Sequence, residues 1–337
     1  MAKISILGAG AWGTAIAILL GNKGHEVVLW SALKNEVEQL TEDRELKDKL
    51  PGIKLPDSVS ISGDLKYSCE NRDLIVFAVA SPFVRATAKS ACSFIADNQI
   101  IVNVGKGIEE KTLETLTDII KDEIPQADVA VLSGPSHAEE VSKGIPTTCV
   151  VGADSKDTAH FVQDVFMGER FRVYTSPDVI GIELGGSLKN VIALAAGMAD
   201  GLGFGDNTKA ALMTRGIAEI SRLGIAMGGK METFAGLSGV GDLIVTCTSK
   251  HSRNRNAGYL IGKGYNMEEA MEEVKQVVEG VYSAKAALAL ARKYDVEMPI
   301  VEQVNLILFE GKAAFEAVSD LLLRDKRREY TELQWKK

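Results

Sequence analysis

The sequence predicts an α/β domain over residues 1–180, followed by an all-α domain over residues 181–337. Through the first half, short apolar runs typical of buried strands alternate with helical stretches, which is the pattern of parallel α/β proteins. Past Gly181, strand-like runs become rare and apolar helical runs dominate. A chain of 337 residues also exceeds what one simple core usually holds. We therefore expect two domains, with a boundary between residues 175 and 185.

The first predicted element is a strand–turn–helix unit at the N-terminus. Lys3–Leu7 is a short strand-like run. Gly8, Gly10 and Gly13 follow it at once in GxGxxG spacing, before an apolar helical run over Thr14–Asn22. The dinucleotide fingerprint requires this context, because its glycines permit a tight turn, close approach of a pyrophosphate, and contact between helix and strand. A Rossmann-type domain is predicted, and a glycine-rich turn in another α/β protein is the alternative.

The end of the second predicted strand bears on which nicotinamide cofactor the chain uses. Val27–Trp30 leads into Ser31, and the first acidic residue after it is Glu36. NAD-selective Rossmann domains place an acid near this strand end to bind the ribose 2′-hydroxyl. We expect no carboxylate there, and Ser31 and Lys34 are candidates to contact a 2′-phosphate. Both NAD and NADP are therefore expected to work, with NADPH modestly favoured.

Two further predicted strands end in loops that point toward the expected ligand crevice. Asp73–Val79 leads into the Ala80–Pro82 turn, and Ile100–Val104 leads into Gly105-Lys106-Gly107. Ligands of open parallel sheets bind at the carboxyl ends of the strands. Lys106 is therefore a candidate site residue, although a solvated turn lysine is the alternative.

The next predicted strand, Val129–Leu132, runs into Ser133–Ala138, a turn whose N–H groups could bind an anion or a nicotinamide. Within it, His137 is interpreted as a turn or helix-start residue because no pairing partner is near it in the sequence. Thr147–Gly152 is predicted as the last strand of the sheet.

A long apolar helix opens the second half. Ser176-Pro177-Asp178 reads as its start, with a serine cap, a proline at the first helical position and an acid in the first turn. Val191–Ala199 carries no charged side chain, so the helix should be buried. Lys189 lies just before that run, where desolvation would lower its pKa and suit it to proton transfer. The alternative is a lysine whose stem packs inside while its ammonium group reaches water.

Two polar loops interrupt the helical half. Asp242 lies between glycines and an apolar strip, and Thr246–Asn256 contains Ser252, Arg253 and Asn254. An arginine with hydroxyl and amide neighbours at a helix start is a good phosphate receptor, and a solvated loop is the alternative. The remaining apolar stretches are predicted as helices over Lys209–Met227, Glu268–Val278, Ser283–Lys293 and Ile300–Phe309.

Composition excludes several classes of partner. The net charge is −8 and the pI is about 5.3, which disfavours a nucleic-acid groove or an anionic membrane surface. The four cysteines are widely spaced singles typical of reduced cytosolic thiols, and no metal spacing is present. We expect a cytoplasmic protein without a metal, without nucleic-acid binding and without stable membrane insertion. A homodimer is compatible with the sequence, which does not determine the oligomeric state.

Together these motifs resemble one family, the bacterial NAD(P)-dependent glycerol-3-phosphate dehydrogenases. The matching segments span most of the chain in order: GAGAWGTAIA, VGKGIE, SGPSHAEE, IELGGSLKNVIALAAGMADGLGFGDN, GVGDLIVTCTSKHSRNRN and VVEGVYSA. The resemblance implies interconversion of dihydroxyacetone phosphate and sn-glycerol 3-phosphate with NADP or NAD, in support of glycerophospholipid synthesis. It also implies a Rossmann domain joined to an all-helical domain like that of 6-phosphogluconate dehydrogenases.

The resemblance also implies roles for individual residues. Lys189 is the proton acceptor. The chemistry of hydride transfer adds two catalytic candidates: Lys106 can stabilise the negative charge that develops on the substrate oxygen, and Asp242 can orient a substrate hydroxyl or Lys189 itself. The implied substrate contacts are Lys106, Gly134, Ser136, Lys189, Asp242, Ser252, Arg253 and Asn254. The expected cofactor contacts, which include the fingerprint glycines, are Gly8, Gly10, Ala11, Trp12, Gly13, Lys106, Ala138, Arg253, Val277 and Glu279.

Two other functional classes stay open at this point. A related dehydrogenase of the 3-hydroxyacid or 6-phosphogluconate type would share the fold and the central lysine, but its substrate would carry a carboxylate. A non-catalytic dinucleotide sensor would keep the GxGxxG turn without needing Lys189, Lys106 and Asp242 together.

Overall fold

An eight-stranded sheet forms the first half of the protein, whose computed structural model describes residues 1–326, 328, 329 and 335. The strands are β1 (Lys3–Leu7), β2 (Glu26–Trp30), β3 (Val59–Ser62), β4 (Leu74–Phe77), β5 (Ile100–Asn103), β6 (Asp128–Ser133), β7 (Thr147–Gly152) and β8 (Phe171–Ser176). Their order in the sheet is β3-β2-β1-β4-β5-β6-β7-β8, and all neighbours are parallel except β6 and β7. The order reverses between β1 and β4, which is where such sheets bind dinucleotides.

Two apolar clusters cover the two faces of this sheet. Within the described residues the α-helices of this half are α1 (Ala11–Asn22), α2 (Lys34–Asp43), α3 (Leu65–Cys69), α4 (Val84–Ala91), α5 (Leu116–Glu123), α6 (Ala138–Val141) and α7 (Lys156–Phe166). One cluster contains Ile4 and Ile6 with α1 and α7, and the other contains Leu7 and Ile75 with α4 and α5. The predicted Rossmann-type domain is confirmed.

The edges of the sheet differ from the prediction. Thr147–Gly152 is a strand, but it is not the last one, because β8 pairs in parallel along its whole length. On β8, buried and exposed residues alternate, with Arg172 and Tyr174 exposed. An edge strand covered on one face lacks the continuous apolar run that identifies a central parallel strand. β3 at the opposite edge was missed for the same reason.

The second half is helical, as predicted. In the part that the structure describes, its α-helices are α8 (Val179–Gly201), α9 (Asp206–Ala226), α10 (Met231–Phe234), α11 (Asp242–Thr248), α12 (Arg253–Gly262), α13 (Met267–Val274), α14 (Glu279–Lys293), α15 (Pro299–Glu310) and α16 (Ala314–Leu322). α13 ends four residues before the predicted Val278, because Lys275 has left-handed backbone torsions (φ 58°) that stop a helix. Residues 327, 330–334, 336 and 337 of the predicted helical domain lie outside the described residues.

Helix α8 is the central helix of this half, and its neighbours α9, α11, α12 and α14 pack around it. In the described part of the chain it alone is long and apolar enough, by length and composition, to cross a membrane, but 83% of its most apolar window is buried inside the protein. That degree of burial is what the core helix of a folded domain shows.

The start of α8 differs in detail from the prediction. Asp178, rather than Ser176, is the N-cap, and its carboxylate accepts a hydrogen bond from the Gly181 N–H at 3.0 Å. Pro177 therefore precedes the cap and is not the first helical residue. The same carboxylate also accepts from the Lys230 N–H, which joins α8 to the segment after α9. β8 ends at Ser176 and α8 begins at Val179, and the domain boundary at residue 180 stays a proposal.

Candidate active site

The glycine turn after β1 is shaped for a pyrophosphate. Gly8 has φ +113°, and a Cβ there would lie 2.7 Å from the Ala78 carbonyl oxygen. A Cβ on Gly13 would lie 1.9 Å from the Gly8 carbonyl oxygen and 3.1 Å from Ala78 Cβ, so α1 packs directly against this turn and the residue that follows β4. In contrast, a Cβ on Gly10 would meet no atom within 4 Å. The N-terminus of α1, which begins at Ala11 and Trp12, therefore faces open space, which fits a dinucleotide pyrophosphate.

The end of β2 differs from the expectation that no carboxylate lies there. Because α2 begins at Lys34, its first turn brings Glu36 back to the strand end, where the Ser31 hydroxyl donates to the Glu36 carboxylate at 2.5 Å. Lys49 forms an ion pair with the same carboxylate, which is almost fully buried. Lys34 points away, with its side chain 90% exposed and paired with Glu38. The basic group at this strand end is thus Lys49 rather than Lys34.

Lys189 lies in the middle of α8, although the sequence suggested a position at the mouth of the buried helix. It is 5% exposed, and its Nζ donates to Asp242 Oδ1 at 2.6 Å and to Thr246 Oγ1 at 2.6 Å. These contacts exclude the alternative in which the ammonium group reaches water. Burial lowers the pKa of Lys189 to about 8, although the Asp242 carboxylate opposes that change. The group is therefore poised to exchange a proton near neutral pH.

Asp242 joins the two lysines that the sequence singled out separately. It is 1% exposed, and its Oδ2 accepts from Lys106 Nζ at 2.6 Å while its Oδ1 accepts from Lys189. Burial opposes ionisation of Asp242, but the two ammonium groups outweigh it and hold the pKa of this carboxyl below its usual range. One carboxylate thus fixes two cations at the junction of the two halves.

The loops after β5 and β6 meet at this carboxylate. Lys106 Nζ also donates to the Gly134 carbonyl at 3.1 Å, and the Ser136 hydroxyl donates to the same oxygen at 2.9 Å. His137 is the N-cap residue of α6, and burial lowers its pKa. His137 was correctly interpreted as a helix-start residue, and Ala138 is the first residue of α6.

Within the predicted phosphate loop, Ser252 and Asn254 are buried, whereas Arg253 is exposed. Ser252 is the N-cap of α12, accepting from the Arg255 N–H, so the predicted helix start is confirmed. Asn254 is buried; its side-chain amide donates to Asn190 Oδ1 at 2.9 Å, and its side-chain oxygen accepts from the Gly280 N–H at 2.8 Å. Arg253 is exposed, donates to the Val277 carbonyl at 3.1 Å, and lines a cavity of about 430 Å³.

Glu279, an expected cofactor contact, joins the two halves in this structure. It begins α14, and its carboxylate accepts from the Ser81 N–H at 3.2 Å and from the Ser81 hydroxyl. Burial raises the pKa of Glu279 above its usual value. Ser81 follows β4 at the reversal of strand order, so Glu279 lies near the expected dinucleotide crevice.

Sequence reasoning missed several polar residues of the site. In the sequence, Thr246 was noted only as the first residue of a polar loop. It lies one helical turn after Asp242 on α11. The spacing of four residues could have placed both side chains on one face of the helix. Asn190 adjoins Lys189 in the chain but was not singled out. For Lys49 the sequence contains no comparable signal, because its partner Glu36 lies 13 residues away across a turn.

Comparisons with known proteins match both halves of the chain to glycerol-3-phosphate dehydrogenases. The family model described as NAD-dependent glycerol-3-phosphate dehydrogenase N-terminus matches residues 3–159, and that of the C-terminus matches residues 178–319. The chain is 63% identical to a glycerol-3-phosphate dehydrogenase [NAD(P)+] of Agathobacter rectalis, covering 100% of both chains. It is 60% identical to the protein of the same name from Fusobacterium nucleatum, covering 98% of this chain and 99% of that one.

A solved structure is similar over the same length. The crystal structure of glycerol-3-phosphate dehydrogenase from Coxiella burnetii matches with a TM-score of 0.93 at 39% identity, covering 96% of this chain and 99% of that chain. The observed arrangement of a Rossmann-type sheet followed by a helical half is therefore the arrangement of that enzyme as well.

Proposed function

Because the chain belongs to the NAD-dependent glycerol-3-phosphate dehydrogenase family, we propose that its Lys106–Asp242–Lys189 group catalyses proton transfer in the NAD(P)-dependent interconversion of dihydroxyacetone phosphate and sn-glycerol 3-phosphate. The observation that carries this proposal is the single buried carboxylate that holds both ammonium groups at 2.6 Å. Two cations and one anion leave one net positive charge where negative charge would develop during carbonyl reduction.

Each residue of the group has a distinct role in this proposal. Bound NAD(P)H supplies the hydride that reduces the substrate carbonyl. Lys189 donates a proton to the oxygen as negative charge develops on it, and in the oxidation direction its neutral amine accepts that proton. Lys106 stabilises the same developing charge. Asp242 orients both ammonium groups, and Thr246 supports Lys189.

The substrate phosphate is assigned to the start of α12. The side-chain oxygens of Ser252 and Asn254 accept from backbone N–H groups, whereas Arg253 is exposed, lines the cavity and uses one of its five N–H donors on the Val277 carbonyl. A guanidinium beside a helix N-terminus is a strong phosphate receptor. Gly134 and Ser136 would contact the other end of the substrate, because they lie beside Lys106. Binding the phosphate away from the reacting carbon lets remote contacts orient the substrate.

An absorbance assay tests the function as a whole. Loss of NAD(P)H absorbance is measured with dihydroxyacetone phosphate, then with 3-oxoacids, then with neither. We expect turnover with dihydroxyacetone phosphate only. Turnover with 3-oxoacids instead would favour a hydroxyacid dehydrogenase, and cofactor binding without any turnover would favour a sensor.

Arg253→Ala is expected to raise KM for dihydroxyacetone phosphate, with a loss on the order of 2–4 kcal/mol for a charge-assisted contact. Unphosphorylated dihydroxyacetone, a poor substrate, should be affected much less. Lys250→Ala is a matched control, because Lys250 is exposed and lines the same cavity. Steady-state kinetics with both substrates checks this, and equal losses on both would show that Arg253 does not bind the phosphate.

We predict that both NADH and NADPH are used, with NADPH modestly favoured. Glu36 would repel a 2′-phosphate, but Lys49 neutralises it. Glu36→Gln should release Lys49 and raise the preference for NADPH by roughly tenfold, about 1.4 kcal/mol. Glu38→Gln, on the exposed side of α2, is the control. The measurement is kcat/KM for both cofactors at matched ionic strength. A wild-type preference for NADH above roughly tenfold would contradict the prediction.

We further propose a cytoplasmic enzyme whose product supplies glycerophospholipid synthesis. The reduced cysteines and the burial of α8 within the protein support the location. A homodimer and the absence of nucleic-acid partners remain proposals from the sequence.

A further inference from the structure

Helix α8 carries a second buried ionisable group, which the proton-transfer proposal does not use. Glu183 lies six residues before Lys189 and is 5% exposed. Its carboxylate accepts from Asn103 Nδ2 at 2.9 Å and, on another side, from the Thr117 N–H at 3.2 Å and hydroxyl at 2.5 Å. Burial raises the pKa of Glu183. The carboxylate satisfies buried donors of Asn103 and Thr117, which offsets the cost of desolvating it and ties Glu183 to both residues.

From Glu183 the hydrogen bonds continue to the loop that carries Lys106. Asn103 ends β5 and is fully buried. Its side-chain amide donates to the Gly105 carbonyl at 3.2 Å, and its side-chain oxygen accepts from the Gly105 N–H at 3.0 Å. One side chain thus holds both backbone groups of the residue just before Lys106, and Glu183 fixes the orientation of that side chain.

The other side of Lys106 is held by the same helix. Ser187 lies one turn after Glu183, is 2% exposed, and donates to the Gly107 carbonyl at 3.0 Å. Between them, Gly186 lies beside the Lys106 side chain, since a Cβ on Gly186 would be at van der Waals distance, 3.6 Å, from Lys106 Cγ. Residues 183–187 of α8 therefore hold the Lys106 loop on both sides, directly at Gly107 and through Asn103 at Gly105, and the same helix carries Lys189.

We propose that Glu183 and Ser187 are positioning residues that set the Lys106 ammonium relative to Lys189, so that α8 fixes both lysines from one rigid element. The proposal rests on the proposed function, since it assigns how the two cations of that site are aligned. Neither residue touches the reacting atoms. Each acts on the backbone beside Lys106, Glu183 through Asn103 and Ser187 directly.

A matched pair of variants separates positioning from stability. Asn103 and Thr117 are both buried, and both donate to the Glu183 carboxylate, but only Asn103 continues to Gly105. Asn103→Val should lower kcat about tenfold, because small misplacements of catalytic groups are costly. Thr117→Val should lower Tm by about as much as Asn103→Val does, but it should leave kcat unchanged. Equal losses of kcat in both variants would overturn the proposal.

Ser187→Ala and Glu183→Gln extend the test. Ser187→Ala should lower kcat in the same way as Asn103→Val. Glu183→Leu should lower kcat, whereas Glu183→Gln should retain most of it because its amide oxygen still accepts from Asn103. If Glu183→Gln lowered kcat as much as Glu183→Leu, the charge of Glu183 rather than its orientation of Asn103 would control kcat, which would contradict the proposal.

A double-mutant cycle with Lys106→Met gives the decisive result. If Asn103 and Ser187 act through Lys106, then Asn103→Val or Ser187→Ala should cost less than about twofold in kcat once Lys106 is already methionine. Losses that multiply independently would show a general structural role and overturn the proposal. If the wild-type protein does not reduce dihydroxyacetone phosphate at all, the proposed function fails first, and that outcome is visible before any variant is made.

Discussion

Lys189→Met is expected to reduce turnover of dihydroxyacetone phosphate by about three orders of magnitude, in the range typical of a lost general acid. The variant keeps the length of the side chain but removes its ammonium group, so the developing alkoxide has no proton donor. NADPH affinity should remain near that of the wild type, because the fingerprint glycines lie in the other half of the chain. The measurements are kcat by NADPH absorbance and the NADPH dissociation constant by fluorescence titration.

Lys312→Met is the matched control for this result. Lys312 is a partly buried lysine of the helical half that is hydrogen-bonded to Gln303 and ion-paired with Asp320. The Lys312→Met variant should lose this ion pair but keep the turnover of the wild type. Turnover of Lys189→Met within a factor of a few of the wild type would refute the assignment of Lys189 as the proton-transfer group.

Asp242→Asn is expected to have the second largest effect, on both stability and pH dependence. Two ammonium groups would face each other without a carboxylate, and breaking such a buried pair costs about 3–5 kcal/mol. The pKa of Lys189, about 8 in the wild type, should fall further, since Asp242 now raises it. Reduction requires protonated Lys189, so the rate falls as pH rises through this pKa. In the variant that decline should begin at lower pH.

The pH profile distinguishes this role from a structural one. Asp200→Asn is the control, because Asp200 is a largely buried carboxylate that is also paired with two cations, Lys209 and Arg255. It should lower Tm without moving the pH profile of the remaining activity. An unchanged alkaline limb in Asp242→Asn would mean that Asp242 does not control the protonation of Lys189.

What could be predicted from the sequence depended on local patterns. The glycine turn after β1 was identified because each glycine has a local steric reason, and the structure shows those contacts at Gly8 and Gly13. Helix α8 was identified because a helical run without charges is expected to be buried. Lys106 was singled out because it lies between two glycines, and Lys189 because it adjoins an uncharged run. In the structure both donate to Asp242.

The tertiary structure decided the features that depend on residues distant in the chain. The edge strands β3 and β8 were missed, because half-exposed strands look like loops until their partners are known. Glu36 was expected away from the end of β2, because the turn that brings it to Ser31 has no sequence signature.

The sequence by itself therefore determined the fold class, the dinucleotide turn and the separate candidacy of Lys106, Lys189 and Asp242. Only the tertiary structure decided that one carboxylate lies between both lysines, across 136 and 53 residues of chain. The physical reason is the distance along the chain over which each effect acts. Backbone torsions and hydrophobic periodicity act over a few residues, whereas an ion pair forms between any two residues that packing of the core brings into contact. The same packing lowers the pKa of Lys189, because burial exists only in the folded chain.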